Sequence, residues 1–207
     1  MSIVTLNDRG VRSVTTFGSL NTGSMIFIKK LTAGSSSTLT FLNGSSDVVF
    51  DSTYKEYIFT FKDIHPSTNS YTQFQATTDG TNYNTTITNT SFASYHAEAD
   101  NFAILEYRTA EDFAQSTSFV GLNGADPIGT DNDNCMVGTL HIFNPSSTTF
   151  VKHYIARTHG IATSGISVDF YTAGYFNTTS AITGIQFKQS SGNIDAGTIK
   201  LYGIKDS

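Results

Sequence analysis

The sequence predicts an all-β fold: an antiparallel β-sandwich, jelly-roll-like, with at most one or two short helices. Three observations predict it. Apolar and polar residues alternate with period two, most cleanly over residues 54–64 (YKEYIFTFKDI), as a strand with one buried face requires. Turn signals such as Asn43-Gly44, Asp79-Gly80 and Asn144-Pro145 recur along the chain, at roughly the 8–12-residue spacing of sandwiches rather than the longer βαβ period. Charged residues make up only 14% of the chain, well below the usual level of about 25%. Ser and Thr stand in their place, which suits pleated surfaces and gives little support to salt-bridged helices.

At 207 residues with 38% hydrophobic and 13% aromatic content, the chain fits one domain able to bury about 70% of its unfolded surface. Residues 1–16 read as an N-terminal arm or edge strand, and 17–207 as a single β-sandwich domain. Residues 24–32 (SMIFIKKLT) form a strand, Ser35-Ser36-Ser37 a turn, and 38–42 the returning strand. In residues 54–64, Tyr57, Phe59 and Phe61 share the core face with Lys55 and Asp63 at its rim. His65-Pro66 ends that strand, because proline lacks the ladder donor. Strands over 71–78 and 83–88 follow, with the Asp79-Gly80 turn between them.

Residues 91–125 divide between two readings. The Ala-rich pieces FASYHAEADNFAILEY and TAEDFAQ allow a short helix, with Thr109 and Asp112 spaced like a weak capping box. Phe102, Ile104 and Tyr107 fit a strand nearly as well. Residues 121–134 are a Gly, Asp and Asn loop. Strands resume over 137–143, 148–157 and 167–176. Residues 181–205 alternate on both sides of Ser190-Ser191-Gly192-Asn193, the pattern of a closing antiparallel hairpin.

A net charge of -5 and a pI near 5.4 speak against nucleic acid as the main partner, which calls for a basic stripe. The lone Cys135 cannot form an internal disulfide, so the fold needs no oxidising compartment. The start of the chain has no basic n-region followed by an apolar h-region, and no apolar run reaches membrane-spanning length. The expectation is a chain made in a cytosol without membrane insertion, in which the sequons at Asn43, Asn84, Asn89 and Asn177 carry little meaning.

No catalytic motif emerges. No HExxH, paired CxxC, G-x-S-x-G elbow or phosphate loop occurs, and glycosidase carboxylates are defined by spatial separation rather than by spacing. Pairing Phe143 with Thr148 sets His141 opposite Phe150 and turns His153 to the other face, an assignment that a one-residue register change reverses. Structural histidines are the simpler reading. His96, Glu98 and Asp100 share a face if they lie on a strand, but a polar strand end facing water is the favoured reading. Asp126, Asp131 and Asp133 hint at calcium, but Cys135 replaces the next oxygen ligand and no distal glutamate follows. No cofactor or metal is therefore expected. Exposed tyrosines such as Tyr171 and Tyr175 offer rings for stacking on sugar.

Four stretches carry a resemblance: residues 24–44 (SMIFIKKLTAGSSSTLTFLNG), 51–68 (DSTYKEYIFTFKDIHPST), 140–155 (LHIFNPSSTTFVKHYI) and 174–205 (GYFNTTSAITGIQFKQSSGNIDAGTIKLYGIK). Together they resemble a family of virion structural proteins of marine bacteriophages, cyanophages among them. The ending GTIKLYGI is similar to the last strand of sandwich domains in phage head and tail appendages. The resemblance implies a non-enzymatic virion component assembled in the host cytoplasm, a homo-oligomer (a trimer by analogy) partnered by the major capsid protein or another virion protein. On that view the chain is a head decoration or cement protein, with Arg9 and Arg12 in the arm as docking residues. The alternative is a tail-fibre or appendage tip that meets a host-surface glycan through a loop bearing Asp126, Asp131, Asn132 and Asp133.

Overall fold

The structure is a computed structural model that describes residues 24–124 and 126–205. Arg9, Arg12 and the proposed arm lie outside the described residues. Among the described residues twelve strands form: β1 Met25–Thr32, β2 Leu39–Leu42, β3 Glu56–Pro66, β4 Thr72–Thr77, β5 Ile87–Ala97, β6 Ala103–Tyr107, β7 Val120–Gly121, β8 Met136–Phe143, β9 Lys152–Ala162, β10 Ile166–Phe176, β11 Gly184–Gln189 and β12 Ile194–Ile204. They make two antiparallel sheets. The large one runs β1-β12-β3-β8-β9-β10-β5-β6 and the small one β2-β11-β4-β7. The fold is the expected all-β sandwich, and no helix occurs among the described residues. The Ala-rich region becomes the β5–β6 hairpin, where Tyr95 and Ala93 supply one buried face.

The core follows from the alternation. Tyr57, Phe59 and Phe61 of β3 point inward, as do Ile199 and Leu201 of β12 and Leu140 and Ile142 of β8. From the small sheet, Phe41, Phe74, Ile185 and Phe187 meet them. Phe187 is the hub: its ring lies 5.1 Å from Phe59, 5.3 Å from Phe61, 6.2 Å from Phe41 and 6.5 Å from Phe74. Most of these contacts are edge-to-face, the arrangement the ring quadrupole favours. A satellite core of Ala93, Tyr95, Ala162, Val168 and Phe170 lies under the far strands of the large sheet.

Two expected hairpins are instead arches between the sheets. β11 pairs with β2 and β4 in the small sheet, whereas β12 pairs with β1 and β3 in the large one. The turn at 190–193 therefore carries the chain across the core. β1 and β2 are separated in the same way, so Ser35-Ser36-Ser37 is a crossing rather than a hairpin turn. β3 and β4 form a third crossing, and the three arches stack: Ser36 bridges Ile194, and the Ser67 amide donates to the Asn193 carbonyl at 2.9 Å. The physical reason is simple. Period-two alternation states which face of a strand is buried, not which strand lies beside it.

Three smaller corrections concern register. The strand expected at 83–88 begins at Ile87. β3 runs on through Pro66, but a bulge at Asp63, with φ at 52°, turns Ile64 into the core beside Phe61. Opposite that bulge Gly197 has φ at +108°, and a Cβ there would stand 2.4 Å from the Asp63 carbonyl oxygen. Finally, His141 pairs with Ile155 rather than Phe150, because the chain from Asn144 to Val151 loops out before β9 begins. The change is odd-numbered, so His141 and His153 share a face instead of opposing one another.

Replacing Phe187 by Ala removes one ring from contact with four others. The expected cost is about 3–5 kcal/mol of unfolding free energy, read as a lower denaturant midpoint in a urea titration. A loss under about 1 kcal/mol would mean that the two sheets do not depend on this seam.

Candidate functional site

Among the described residues, none covers the outer face of the large sheet. Cross-strand register lays its side chains in rows. One row runs Phe27, Tyr202, Ile58, His141 and Ile155 across β1, β12, β3, β8 and β9. Beside it run Met25, Ile204, Glu56 and Phe143 across the first four of those strands. Phe27 is 55% exposed, Ile155 54% and Met25 46%. Phe27 meets Tyr202 edge-on at 5.7 Å. The polar groups of the band close on each other, with His141 Nδ1 3.0 Å from Glu56 Oε1. A sheet face turned to water ordinarily carries polar side chains; this one carries an apolar band.

The next row is an aromatic rib. Arg157, Tyr171, Phe92 and Tyr107 are successive cross-strand partners on β9, β10, β5 and β6. Phe92 stacks flat on Tyr171, with centroids 4.6 Å apart and planes 6° apart, while the Arg157 guanidinium lies 5.2 Å from the same ring centroid. Both faces of Tyr171 are therefore occupied, and the ring offered to sugar by the sequence has no free face for stacking. Arg157 is a fork on Asp169, Nε to Oδ1 at 3.1 Å and Nη2 to Oδ2 at 2.8 Å, and the Tyr171 hydroxyl donates to Asp169 Oδ2 at 3.0 Å. Tyr175 stands beside His153, centroids 5.9 Å apart.

The other candidates disperse. His159 Nε2 meets Ser167 Oγ at 2.9 Å. His96 pairs with Asp100 at 3.2 Å across the turn after β5, so Glu98 and Asp100 do not share a strand with it. In the 121–134 loop, Asp131, Asn132 and Asp133 are exposed, whereas Asp126 is half-buried and the Asn123 side-chain amide donates to its carbonyl oxygen at 3.3 Å. The Asp131 carbonyl oxygen lies 3.3 Å from His65 Nε2. Among the described residues no group of three or more His, Cys, Asp or Glu gathers for a metal. Burial, with Asp63 nearby, pushes the Cys135 thiol up, away from the reactive thiolate. No helix among the described residues is long and apolar enough to cross a membrane.

Two groups went unnoticed in the sequence. Lys152 lies on the inner face of β9, fully buried, where its ammonium donates to the carbonyl oxygens of Thr178, at 3.0 Å, and Ser180. Desolvation holds its pKa below the ordinary lysine value. Glu111 folds back over the 121–124 turn, where a Cβ on Gly124 would lie 2.4 Å from Glu111 Oε2. Burial raises its carboxyl above the usual range and outweighs the nearby Arg108 guanidinium. Lys152 shares a face with Tyr154 and Ala156, the one sequence signal of a buried lysine, whereas Glu111 lies in a loop with no period to break.

No family model, curated protein or solved structure matches this chain.

Because the folded state holds the Glu111 proton more tightly than the unfolded chain, the fold is favoured below the unfolded pKa. That contribution is lost as pH rises through the folded pKa. Glu111→Gln is therefore expected to stabilise the protein at neutral pH. The gain should shrink toward zero as pH falls below about 4.3, the unperturbed value. Denaturation curves of both proteins between acid and neutral pH check this. A gain independent of pH would remove the desolvated carboxylate as its cause.

Proposed function

We propose that the protein is a non-enzymatic virion structural protein, docked on the head surface as a decoration or cement protein, and that it docks with the outer face of the large sheet. The observation that carries this reading is the apolar band of Met25, Phe27, Ile58, Ile155, Tyr202 and Ile204 on a face that nothing in the chain's described residues covers. Exposed contiguous apolar surface marks an interaction site more often than a solvated one. The sequence resemblance to marine phage virion proteins supplies the kind of partner: a major capsid protein or another virion protein. The low charge and the broad sheet suit contact over an area rather than at a point. Docking through this band does not require Arg9 or Arg12, which then serve as a tether at most.

The copy number of the chain in purified virions, by quantitative mass spectrometry against the major capsid protein, tests the reading. Parity with the capsid protein is the expected result. A number near that of tail components would replace decoration with the tail-fibre reading and turn attention to Asp131, Asn132 and Asp133. Absence from particles would end both. Phe27→Asp combined with Ile155→Asp places two charges in the docking band without touching the core. It is expected to lower particle occupancy at least about tenfold while the melting temperature stays near that of wild type.

A further inference from the structure

Among the described residues the two sheets have four edges, and three of them are blunted. β1 carries a register break between Phe27 and Lys29 and the adjacent pair Lys29-Lys30; β2 has four residues and β7 two. Bulges, lysines and brevity are the devices by which native sheets avoid edge pairing. The fourth edge, β6, has none of them. It holds no lysine, no proline and no bulge, and its register with β5 is unbroken from Ala103 to Tyr107.

Every residue of β6 is exposed, although most of them are apolar. Leu105, 71% exposed, and Tyr107 stand on the outer face. Ile104 and the preceding Phe102 stand on the inner face, where Phe102 meets Tyr95 edge-on at 6.4 Å. A strand apolar on both faces is the pattern of a sheet interior, not of an edge. Its backbone agrees. The Ala97 amide donates to the Phe102 carbonyl and the Arg108 amide to the Ser91 carbonyl, both at 2.9 Å. Bonding alternates along an antiparallel pair. Phe102, Ile104, Glu106 and Arg108 therefore face β5, while the N–H and C=O groups of Ala103, Leu105 and Tyr107 point away from it at the open edge.

We propose that β6 is the pairing strand of a two-fold symmetric dimer, laid antiparallel against β6 of a second copy with Leu105 on the axis. That register pairs all three outward-facing residues: Leu105 with its own copy, and Ala103 with Tyr107 in both directions. At two hydrogen bonds per such pair, about six bonds form between the chains. The strand is complementary to itself in size and charge. The Tyr107 ring falls opposite the small Ala103, and Phe102 falls opposite the Arg108 guanidinium. Glu106, already 2.9 Å from Arg108 of its own chain, falls opposite Ile104, so no like charges face each other across the pair. The large sheets of both copies become one, and the apolar patch of Phe92, Leu105 and Tyr107 doubles across the axis. The dimer does not depend on the virion reading, since it uses the opposite edge of the sheet from Phe27.

Sedimentation equilibrium of the full chain tests it, with twice the 22.4 kDa chain mass expected. Leu105→Lys sets two ammonium groups against each other on the axis and is expected to give a monomer with unchanged circular dichroism and melting. Phe27→Lys on β1 is expected to remain dimeric. In a Cys135→Ser background, Leu105→Cys is expected to link into covalent dimers with a short bis-maleimide, and Val137→Cys is not. A wild-type chain that stays monomeric up to several hundred micromolar overturns the proposal. So does a trimer, an oligomer that survives Leu105→Lys, or an oligomer that Phe27→Lys dissociates.

Discussion

Phe187 touches rings from both sheets, and it does so because the chain around it changes sheets within a few residues. β11 lies in the small sheet between β2 and β4, and β12 lies in the large sheet between β1 and β3. The three crossings that join these strands, at residues 33–38, 67–71 and 190–193, are too short to let either sheet slide. Stacked arches thus fix the distance and the register of the two layers together, and the rings of Phe41, Phe59, Phe61, Phe74 and Phe187 fill the gap they define. Burying each such side chain contributes about 1.5–3 kcal/mol against exposure. The crossing geometry makes that burial simultaneous for both sheets, so β3 and β12 are held in place by the same contacts that form the core.

Eight strands against four leave part of the large sheet's inner face without a partner sheet. Under β5 and β10 the cover is the irregular chain between β6 and β8, held by side-chain amides as well as by the apolar packing of Phe113, Leu122 and Ile128. Asn89 is buried and donates to the Glu111 carbonyl at 2.8 Å and accepts from the Phe113 amide at 3.0 Å. Asn123 accepts the Thr72 amide, and Leu122 donates to the Thr72 carbonyl. Buried side-chain amides of this kind satisfy loop backbone that no strand can reach. They also explain why a carboxylate as poorly solvated as Glu111 is tolerated: the hydrogen bond from Asn89 to its carbonyl oxygen holds the loop backbone there.

The strands themselves were legible in the sequence because burial of one face writes a two-residue period into it, and Tyr57, Phe59 and Phe61 keep that period without exception. Neighbour relations were not. Ile182 to Phe187 and Ile199 to Ile204 alternate identically whether they pair with each other or with strands of opposite sheets. The dispersal of His141, His153 and His159 along two adjacent strands depended on a register that the looped segment before β9 set beyond the reach of any local pattern. The candidate surface was harder still. Met25 and Phe27 lie in a run that reads as core, since a side chain facing a partner molecule and one facing the interior have the same composition. Tyr171 was found, but its role was not, because stacking by Phe92 depends on the β10–β5 register.

A chain this poor in charge gains solubility mainly from Ser, Thr, Asn and Gln, and those residues are unevenly placed. They crowd the turns and loops and share the large sheet's outer face, where Thr60 and Thr139 lie in one row beside the apolar band, while the β6 edge is mostly apolar. The two apolar features differ in kind. The band through Phe27 and Ile155 is a face, open to whatever presents a complementary surface, and apart from the outward groups of the edge strand β1 its backbone is paired within the sheet. The β6 edge adds directional backbone groups to its apolar side chains, so only another extended strand satisfies it. Water can satisfy the edge groups, but it leaves Leu105 and Ile104 exposed on opposite sides of one strand. Packing alone could cover those side chains, but it would leave the N–H and C=O groups of three residues per copy unpaired in a dry contact. A strand of matching register meets both demands at once.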